Sequence, residues 1–539
     1  MPSDAFPEEA VTPQETAEQL LHWLLGTSAH VVLGLVLGAI AARSMRRMHL
    51  HWSWAACVLA LVVVARSEFA GSASTLAVAG AFASLRGRRW HREDMDAGVD
   101  LAEVAARRLR PLELLRALTR TAATRAQGRL SATRGRLGDE LRLGVDESGR
   151  PVSIPFGGRG GAAHTLVVGA TGSGKTVTQT SIALQAIARG MAAIVVDPKG
   201  DAGMRERLQH AALTAGRQFY EWSPGGDCVY NPYARGGASE IADKALAGER
   251  FTEPHYLRQA QRYLGHAVRA LRCAGSEVSL QALVEHLDPA QLEVLARSLP
   301  EDDARATFAY LDSLSTRQHA ELAGVRDRLA ILAESDVGQW LDPRTDGAAR
   351  LDLLDVARTR AVAYFNLESD SRPLLSEMLG AAIVQDLQTV VASLQGAPAP
   401  TLLVLDEFSA LAADQVVRLF GRARSAGVSL LLGTQELSDL RLPGRERLLE
   451  QVLGNLSVLI AHRQVVPNSA ELIAGLAGAK GTWRTSHHSE GRTTRVRTRE
   501  AVLDPDRVTR LARGWAAVLV LGDAGRVQIT RMFSPSSSR

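Results

Sequence analysis

The chain has 539 residues, enough for two to four domains, and three widely separated cysteines, which exclude a disulfide framework and zinc-ligand spacing. A formal net charge of +4 and a pI near 9.1 permit nucleic acid or an acidic membrane surface as a partner without requiring either. Arginine supplies 58 of the 62 basic residues, and the four lysines are Lys175, Lys199, Lys244 and Lys480. A lysine inside a motif therefore stands out in this sequence.

The N-terminal region is predicted to be a membrane anchor. Residues 24–42 lack Asp, Glu, Lys and Arg, and this length is sufficient to cross a bilayer core as a helix. Two shorter apolar stretches within residues 52–85, interrupted by Arg66 and Glu68, predict one or two more spans. Arginine clusters follow both apolar regions, which places the rest of the chain in the cytoplasm. The alternatives are a cleavable signal peptide, disfavoured by the acidic leader, and a buried soluble hairpin, disfavoured by tryptophans near the proposed interfaces.

Residues 96–140 are rich in arginine, alanine and leucine and are predicted to form a basic helical linker beside the membrane. Such a segment could contact anionic lipid or DNA, and a solvated linker is the alternative. Beyond it, short apolar runs on both sides of the turn residues 146–149 predict a β-hairpin.

The most specific motif is a phosphate-binding loop that directly follows the apolar run 165–168. Its members are Gly169, Ala170, Thr171, Gly172, Ser173, Gly174, Lys175 and Thr176. Glycines let successive backbone N–H groups converge on a phosphate, the lysine neutralises the outer phosphates, and the Thr176 hydroxyl can ligate Mg²⁺. A helix is expected to start on the bound anion. The alternative is a glycine-rich turn without a ligand.

A short buried strand is predicted at residues 191–196, ending in Asp197-Pro198-Lys199-Gly200-Asp201. Parallel strands separated by helices place charged groups at their C-terminal ends, where a ligand crevice forms. The long segment from about residue 239 to 342 has helical periodicity and few strand signals. It is too long for a loop, which predicts an inserted all-α subdomain.

A second strand ends in the paired carboxylates Asp406 and Glu407 after the apolar run 402–405. In phosphate-loop ATPases the aspartate supports Mg²⁺, and the adjacent glutamate can polarise the attacking water as a general base. In isolation such a pair is an ordinary exposed strand end. Its combination with residues 169–176 favours the catalytic interpretation.

A third strand is predicted at residues 428–432, with Gln435 just beyond its tip. An amide there could sense the γ-phosphate or orient water, because it both donates and accepts hydrogen bonds; a polar strand cap is the alternative. Before this strand, a predicted helix over residues 413–426 carries Arg418, Arg422 and Arg424. One of them could act as a finger on a neighbouring subunit's nucleotide, although solvated surface arginine is the default.

Together these segments resemble the type IV secretion coupling proteins of the TraG/TraD kind, within the FtsK–HerA group of ring-forming ATPases. The resemblance covers roughly residues 140–535. It rests on residues 169–176, 197–201, Tyr230-Asn231-Pro232, 405–411, 425–428 and 433–435. It implies a RecA-like α/β phosphate-loop core with an all-α insertion behind N-terminal transmembrane helices, and a homohexameric ring.

The resemblance also implies residue roles and partners. Lys175 and Thr176 would bind phosphate and Mg²⁺, Asp406 would support the metal, Glu407 would activate water and Gln435 would sense the nucleotide. Arg424 would be the finger, with Arg422 as the alternative. The implied activity is ATP-driven delivery of DNA, expected as a single strand bound without sequence specificity and attached to a relaxase, into a conjugative type IV secretion channel at a bacterial inner membrane.

The expected organisation follows from these assignments. The predicted parts are a membrane anchor (1–95), a linker (96–140), two parts of the ATPase core (141–235 and 346–533), an all-α insertion (236–345) and a disordered tail (534–539). Residues 480–499, rich in arginine, are predicted to be a flexible loop that either contacts DNA phosphates or is merely solvated. Two alternatives to a conjugative DNA pump remain: another FtsK–HerA-like ring ATPase that moves protein or duplex DNA, and a non-hydrolysing nucleotide-binding membrane adaptor.

Overall fold

A computed structural model describes residues 13–47, 53–64, 73–96, 140–156, 163–248, 253–345, 347–411, 413–441, 447–487, 493–521 and 527–534. The chain divides into two compact units, Met1–Arg136 and Leu137–Arg539. Residues 97–139 of the predicted linker and 535–539 of the predicted tail lie outside the described residues.

The first unit contains three described helices, α1 (Pro13–Arg47), α2 (Ser53–Val64) and α3 (Ala73–Asp96). Helix α3 packs against both α1 and α2. On α1, a Cβ at Gly34 would come within 2.8 Å of the Thr75 carbonyl oxygen, and one at Gly38 within 2.8 Å of the Ala79 carbonyl oxygen. The two glycines, four residues apart, therefore let α1 and α3 approach closely, as in G-x-x-x-G helix packing.

Two described helices contain apolar segments long enough to cross a bilayer, Gly26–Met45 and Pro373–Ser393. The first lies in α1 and is only 17% buried by the described residues, and most of its large apolar side chains are exposed. The second is 67% buried and lies in the core of the second unit. Length, apolarity and exposure together make Gly26–Met45 the candidate membrane span.

The second unit is built on an eleven-stranded sheet with the order β2-β1-β15-β14-β11-β3-β10-β9-β4-β8-β5. Its strands are β1 (Glu140–Asp146), β2 (Pro151–Pro155), β3 (Thr165–Val168), β4 (Ala192–Asp197), β5 (Phe219–Trp222), β8 (Val362–Asn366), β9 (Thr401–Leu405), β10 (Val428–Thr434), β11 (Val458–Ala461), β14 (Trp515–Val520) and β15 (Val527–Met532). The seven strands from β11 to β5 are parallel, and the other four join antiparallel. Two smaller pairs are β6 (Cys228–Tyr230) with β7 (Ala349–Leu351), and β12 (Ala479–His487) with β13 (Thr493–Ala501).

The second unit also contains fourteen described helices, some of which cover both faces of this sheet. They are α4 (Lys175–Ala188), α5 (Ala202–Thr214), α6 (Ala238–Ala245), α7 (Pro254–Cys273), α8 (Leu280–His286), α9 (Pro289–Ala296), α10 (Glu301–Asp312), α11 (Thr316–Ala333), α12 (Leu353–Thr359), α13 (Pro373–Ser393), α14 (Ala413–Ala423), α15 (Leu448–Asn455), α16 (Pro467–Ala477) and α17 (Pro505–Thr509). Short 3-10 turns occur at Gly338–Leu341, Phe408–Ala410 and Leu437–Leu440.

Successive residues of the central strands enter two different cores. Leu403 and Leu405 of β9 pack with α13 and α14 on one face, whereas Leu402 and Val404 pack with α4 and α5 on the other. This alternation follows from the two-residue period of a strand, and burial on both faces explains the uninterrupted apolar sequence. The α/β fold class predicted from the sequence is confirmed.

Six helices, α6 to α11, stand between β6 and β7 and form the inserted all-α region. Its apolar core, which includes Tyr263 and Leu264 of α7, is continuous with the core on the α13 face of the sheet. The insertion therefore packs on the core that surrounds the sheet, and the two share one apolar interior.

A buried polar cluster joins the insertion to α13. The Lys244 ammonium on α6 donates to Asp386 Oδ1 at 2.7 Å and to the carbonyls of Pro232 and Arg235 at 2.9 and 2.7 Å. The Tyr230 hydroxyl donates to Asp386 Oδ2 at 2.8 Å. All three ammonium hydrogens thus have acceptors, which offsets the cost of burying the charge. This gives the Tyr230-Asn231-Pro232 segment a structural role.

Two sequence expectations were wrong in detail. Helix α14 ends at Ala423 instead of residue 426, because the chain turns toward Gly427, which has a φ of 77°. The described residues of the expected flexible loop, 480–487 and 493–499, form strands instead: β12 and β13 pair in antiparallel register from Ala479 opposite Ala501 to His487 opposite Thr493. The threonine-rich sequence has high β propensity, but with polar residues along both strands it lacks the alternation that reveals a half-buried strand.

Candidate functional site

The phosphate loop leaves the sheet at the end of β3 and enters α4 at Lys175. Neighbouring strand ends hold it by backbone hydrogen bonds: the Gly169 N–H donates to the Thr434 carbonyl at 3.3 Å, and the Ala170 N–H donates to the Arg463 carbonyl at 3.0 Å. The Gly514 N–H donates to the Ser173 carbonyl at 3.0 Å. The loop is therefore braced on three sides before any ligand arrives.

The loop geometry fits a phosphate group. Gly172 and Gly174 have φ angles of 74° and 117°, which residues other than glycine rarely adopt. Gly174 is also the N-cap of α4 and has no side chain to cap the first helical N–H groups. Those donors, at the positive end of the helix, are available to an anion.

Two other glycine positions let polar groups come close together. A Cβ on Gly433, in β10, would collide with Asp406 Oδ1 and with the Gln179 amide. A Cβ on Gly169 would lie 2.6 Å from both Ser173 Oγ and His462 Cβ. The floor of the site is packed too tightly for any side chain at these two positions.

Glu407 lies at the centre of the site. Its Oε1 is 3.3 Å from Lys175 Nζ and 3.0 Å from Lys199 Nζ. The Gln435 side-chain amide donates to both carboxylate oxygens, at 2.9 and 3.0 Å. The Thr171 hydroxyl in turn donates to Gln435 Oε1 at 3.4 Å. Four parallel strands thus bring their C-terminal ends to one carboxylate.

The backbone at Glu407 is unusual. Its φ of 46° and ψ of 41° place it in the left-handed region, where β-carbon contacts disfavour residues other than glycine. The Glu407 N–H donates to Asp406 Oδ1 at 3.0 Å, and the Asp406 N–H donates to the Val196 carbonyl at 3.1 Å. This turn directs the Glu407 side chain toward the phosphate loop while Asp406 stays on the floor. Such strain is commonly found at functional sites.

The two adjacent carboxylates differ in protonation preference. Burial raises the pKa of Asp406, an effect that Lys175 opposes and that the negative charges of Asp197 and Glu407 reinforce. Burial also acts to raise the pKa of Glu407, but Lys175, Gln435 and Lys199 together hold it below its usual value. Glu407 is therefore ionised at neutral pH, and Asp406 is a buried carboxylate that a cation would stabilise.

The residues present fit Mg²⁺ held together with phosphates. Thr176, on the first turn of α4, and the nearby buried Asp406 supply oxygen atoms of the kind that Mg²⁺ prefers. Among the described residues, no group of three or more His, Cys, Asp or Glu side chains forms an all-protein metal cage. This combination is typical of sites in which substrate phosphates complete the coordination.

Three residues near the site were not assigned a role from the sequence. Lys199 contacts Glu407, as described above. His462, fully buried beside the loop, has Nε2 3.0 Å from the Thr178 hydroxyl and Nδ1 3.1 Å from the Trp515 carbonyl, and its burial lowers its pKa to about 4. Gln179 lies next to Asp406 and Gly433. Lysine scarcity marked Lys199 as unusual, but no local pattern indicated which residue it would contact.

Arg424 is not brought to this site. Its guanidinium is exposed and lies 3.4 Å from Ser457 Oγ, just before β11, at the N-terminal end of the parallel strands. Gln435 follows the opposite end of β10, a strand of seven residues and thus roughly 20 Å long. Arg418 and Arg422, on α14, are exposed as well. The structure thus unites Lys175, Asp406, Glu407 and Gln435 and places the arginines elsewhere.

Comparison with known proteins identifies the family to which this chain is similar. The family described as the type IV secretion-system coupling protein DNA-binding domain matches residues 151–511. The bacterial conjugative coupling protein TrwBΔN70, in its unbound monoclinic form, superposes with a TM-score of 0.54 and 18% identity, covering 75% of this chain and 91% of that one. TrwB in complex with ADP and Mg²⁺ superposes with a TM-score of 0.51 and 18% identity, covering 69% of this chain and 85% of that one. An uncharacterized protein of Mycoplasma pneumoniae is 30% identical over 104 residues, which are 19% of this chain and 69% of that protein.

The solved structures, at this identity, establish the fold: the second unit has the phosphate-loop core of TrwB. The family match extends over more than half of the chain and includes the loop, both carboxylates and Gln435. This protein belongs to the type IV secretion-system coupling protein family.

Proposed function

We propose that this protein is a membrane-anchored, ATP-driven DNA translocase that delivers relaxase-bound DNA to a conjugative type IV secretion channel at a bacterial inner membrane. The family match and the exposed apolar segment Gly26–Met45 support the setting. One observation carries the enzymatic part: an ionised glutamate, Glu407, is held by three donors beside a phosphate loop. A nucleotide-binding adaptor that does not hydrolyse ATP has no use for such a group.

The site residues suggest the following division of labour. The N–H groups of residues 174–176, at the start of α4, cradle the phosphates of ATP, and Lys175 turns from Glu407 to the outer phosphates, which carry more negative charge. Thr176 and Asp406 would hold Mg²⁺, which would neutralise part of the phosphate charge. Glu407 then accepts the proton of the attacking water at one carboxylate oxygen, while Gln435 orients that carboxylate and the water.

Arg424 and the oligomeric state form a separate part of the proposal. Because Arg424 lies at the opposite end of β10 from Gln435, it cannot serve the site of its own chain. In a homohexameric ring it would contact the nucleotide of the neighbouring subunit and stabilise transition-state charge. Arg422, two residues earlier, is the alternative finger.

The DNA is expected to bind through its phosphates. Arginine is frequent in β12 and β13, which pair as a two-stranded antiparallel ribbon. Phosphate contacts position nucleic acid without reading its sequence, which suits a motor that must pass any sequence. Single-stranded DNA is the expected form.

The test is ATP hydrolysis by the full-length protein in lipid nanodiscs, with single-stranded or duplex DNA added. We expect DNA to stimulate hydrolysis, single strands more than duplex, and Glu407→Gln to reduce the rate by on the order of a hundredfold or more while ATP still binds. Undiminished hydrolysis by Glu407→Gln would refute the assigned chemistry. Stimulation by duplex alone would instead favour a duplex-DNA translocase.

A further inference from the structure

The loop of residues 197–201, at the C-terminal end of β4, is held by its own first side chain. The Asp197 carboxylate accepts hydrogen bonds from the N–H groups of Lys199 and Gly200, both at 3.0 Å, and of Asp201 at 2.7 Å. The Tyr364 hydroxyl donates to Asp197 Oδ2 at 2.8 Å. Since these N–H groups are used within the loop, it is not a second phosphate cradle.

The loop backbone is also fixed sterically. Gly200 has a φ of 77°, and a Cβ there would collide with the side chain of Asn366 at the end of β8. The Ser369 N–H donates to the Pro198 carbonyl at 2.7 Å. The loop backbone therefore holds the Cα of Lys199 in place, and its side chain extends from there to Glu407.

Two lysines share one oxygen of Glu407 but differ in their surroundings. Lys175 Nζ is 3.3 Å from Oε1 and its side chain is 8% exposed; Lys199 Nζ is 3.0 Å from the same atom and its side chain is 47% exposed. Lys175 belongs to the phosphate loop, so an incoming phosphate attracts it. Lys199 is attached to β4 and is not part of that loop, so it remains beside the carboxylate.

We propose that Lys199 is a positioning residue that holds Oε1 of Glu407 once Lys175 has turned to the nucleotide phosphates, which leaves Oε2 for the attacking water. This inference rests on the proposed ATPase function. The Gln435 amide contacts both carboxylate oxygens and so does not select between them. The Lys199 ammonium, which lies beside Oε1 alone, does select between the two oxygens. It also restricts the side chain of Glu407, a residue whose backbone is already strained.

The experiment compares full-length variants in nanodiscs by steady-state ATP hydrolysis and by binding of a fluorescent ATP analogue. Lys199→Met should lower kcat on the order of tenfold to a hundredfold, since a misplaced reacting group costs that much, and should leave KM and analogue affinity within about twofold. Lys199→Arg, which restores a cation, should recover most of kcat. Arg207→Met is the matched control, because this exposed residue on α5 contacts the Gly203 carbonyl of its own helix; its kcat should be unchanged.

Several outcomes would overturn the proposal. An unchanged kcat in Lys199→Met would do so, and so would a rise in KM with kcat preserved, which would make Lys199 a nucleotide ligand. A Lys199→Arg rate as low as that of Lys199→Met would exclude a role for the positive charge. The Glu407→Gln variant distinguishes failure of this inference from failure of the proposed function. If Glu407→Gln is inactive while Lys199→Met has normal activity, only the role of Lys199 is wrong. If Glu407→Gln is fully active, the proposed function itself is wrong.

Discussion

Two lysine–carboxylate clusters of the second unit differ in how completely each is enclosed. Lys244 is 1% exposed, and its ammonium has three acceptors, including the buried Asp386. Lys175 is also buried, but the described residues offer its ammonium a single hydrogen-bond acceptor, Glu407, at the longer distance of 3.3 Å. We call the first cluster saturated, because every ammonium hydrogen of Lys244 has an acceptor. The second is unsaturated, because the Lys175 ammonium can still donate hydrogen bonds to a ligand.

This difference separates a structural ion pair from a functional one. Removing one partner of a saturated buried pair leaves an uncompensated charge inside the protein, so the cost falls on stability. An unsaturated lysine facing a phosphate cradle can exchange one anion for another, so its removal affects binding and chemistry. The sequence contains only four lysines, and three of them occur in these two clusters.

The largest expected effect is at the unsaturated cluster. Lys175→Ala should abolish DNA-stimulated ATP hydrolysis and conjugative transfer, with a rate loss on the order of a thousandfold, because the phosphates lose their cation. Thermal unfolding and membrane insertion should stay close to those of the unchanged protein. Normal transfer frequency in this variant would show that Lys175 does not serve the nucleotide.

At the saturated cluster, Lys244→Met should destabilise the second unit by about 3–5 kcal/mol, because Asp386 remains buried without its cation. Denaturant unfolding of the purified protein measures this loss. The double variant Lys244→Met, Asp386→Asn should regain part of it, since no charge is then buried unpaired. If the single variant instead unfolds like the unchanged protein but hydrolyses ATP poorly, the distinction between the clusters is wrong.

A pH titration sharpens the comparison further. His462 has a folded-state pKa of about 4, below the usual 6.5, chiefly because of burial. The unfolded state therefore binds a proton that the folded state does not, and this residue's contribution, roughly 3 kcal/mol, is fully present above pH 6.5 and lost as the pH falls toward 4. Unfolding midpoints measured from pH 7.5 to 4.5 should fall, and less steeply in His462→Gln. Equal slopes would mean that His462 does not titrate in this way.

The smallest predicted effect concerns Gln435. Gln435→Ala removes two hydrogen bonds to an ionised carboxylate and should lower kcat roughly tenfold, with little change in KM. Gln435→Glu places a like charge beside Glu407 and should be slower than the alanine variant. A raised KM with normal kcat would identify Gln435 as a nucleotide-binding residue only.

Much of the core was predictable because its signals are local. The run before Gly169 and the run before Asp406 are apolar at every position, as expected of strands covered on both faces, and both are central parallel strands. Parallel strands end at the same edge, so the loop, the carboxylates and Gln435 were expected to meet. Their mutual distances are consistent with that expectation.

Other features depend on residues distant in sequence. The contact between Lys199 and Glu407 spans 208 positions, and that between Lys244 and Asp386 spans 142. Neither pair has a spacing that a pattern could reveal. The ribbon of β12 and β13 was missed because its stabilisation comes from cross-strand pairing, which leaves no apolar period in either strand.

The sequence by itself determined the phosphate loop, the carboxylate strand and the α/β class, because backbone freedom at glycine and burial on both faces of a strand act over a few residues. Only the tertiary structure decided which lysine is saturated and which can leave its carboxylate. It also decided that Arg424 lies at the opposite end of the sheet from Gln435. These outcomes depend on strand order and on the crossing of helices, which local physical chemistry leaves open.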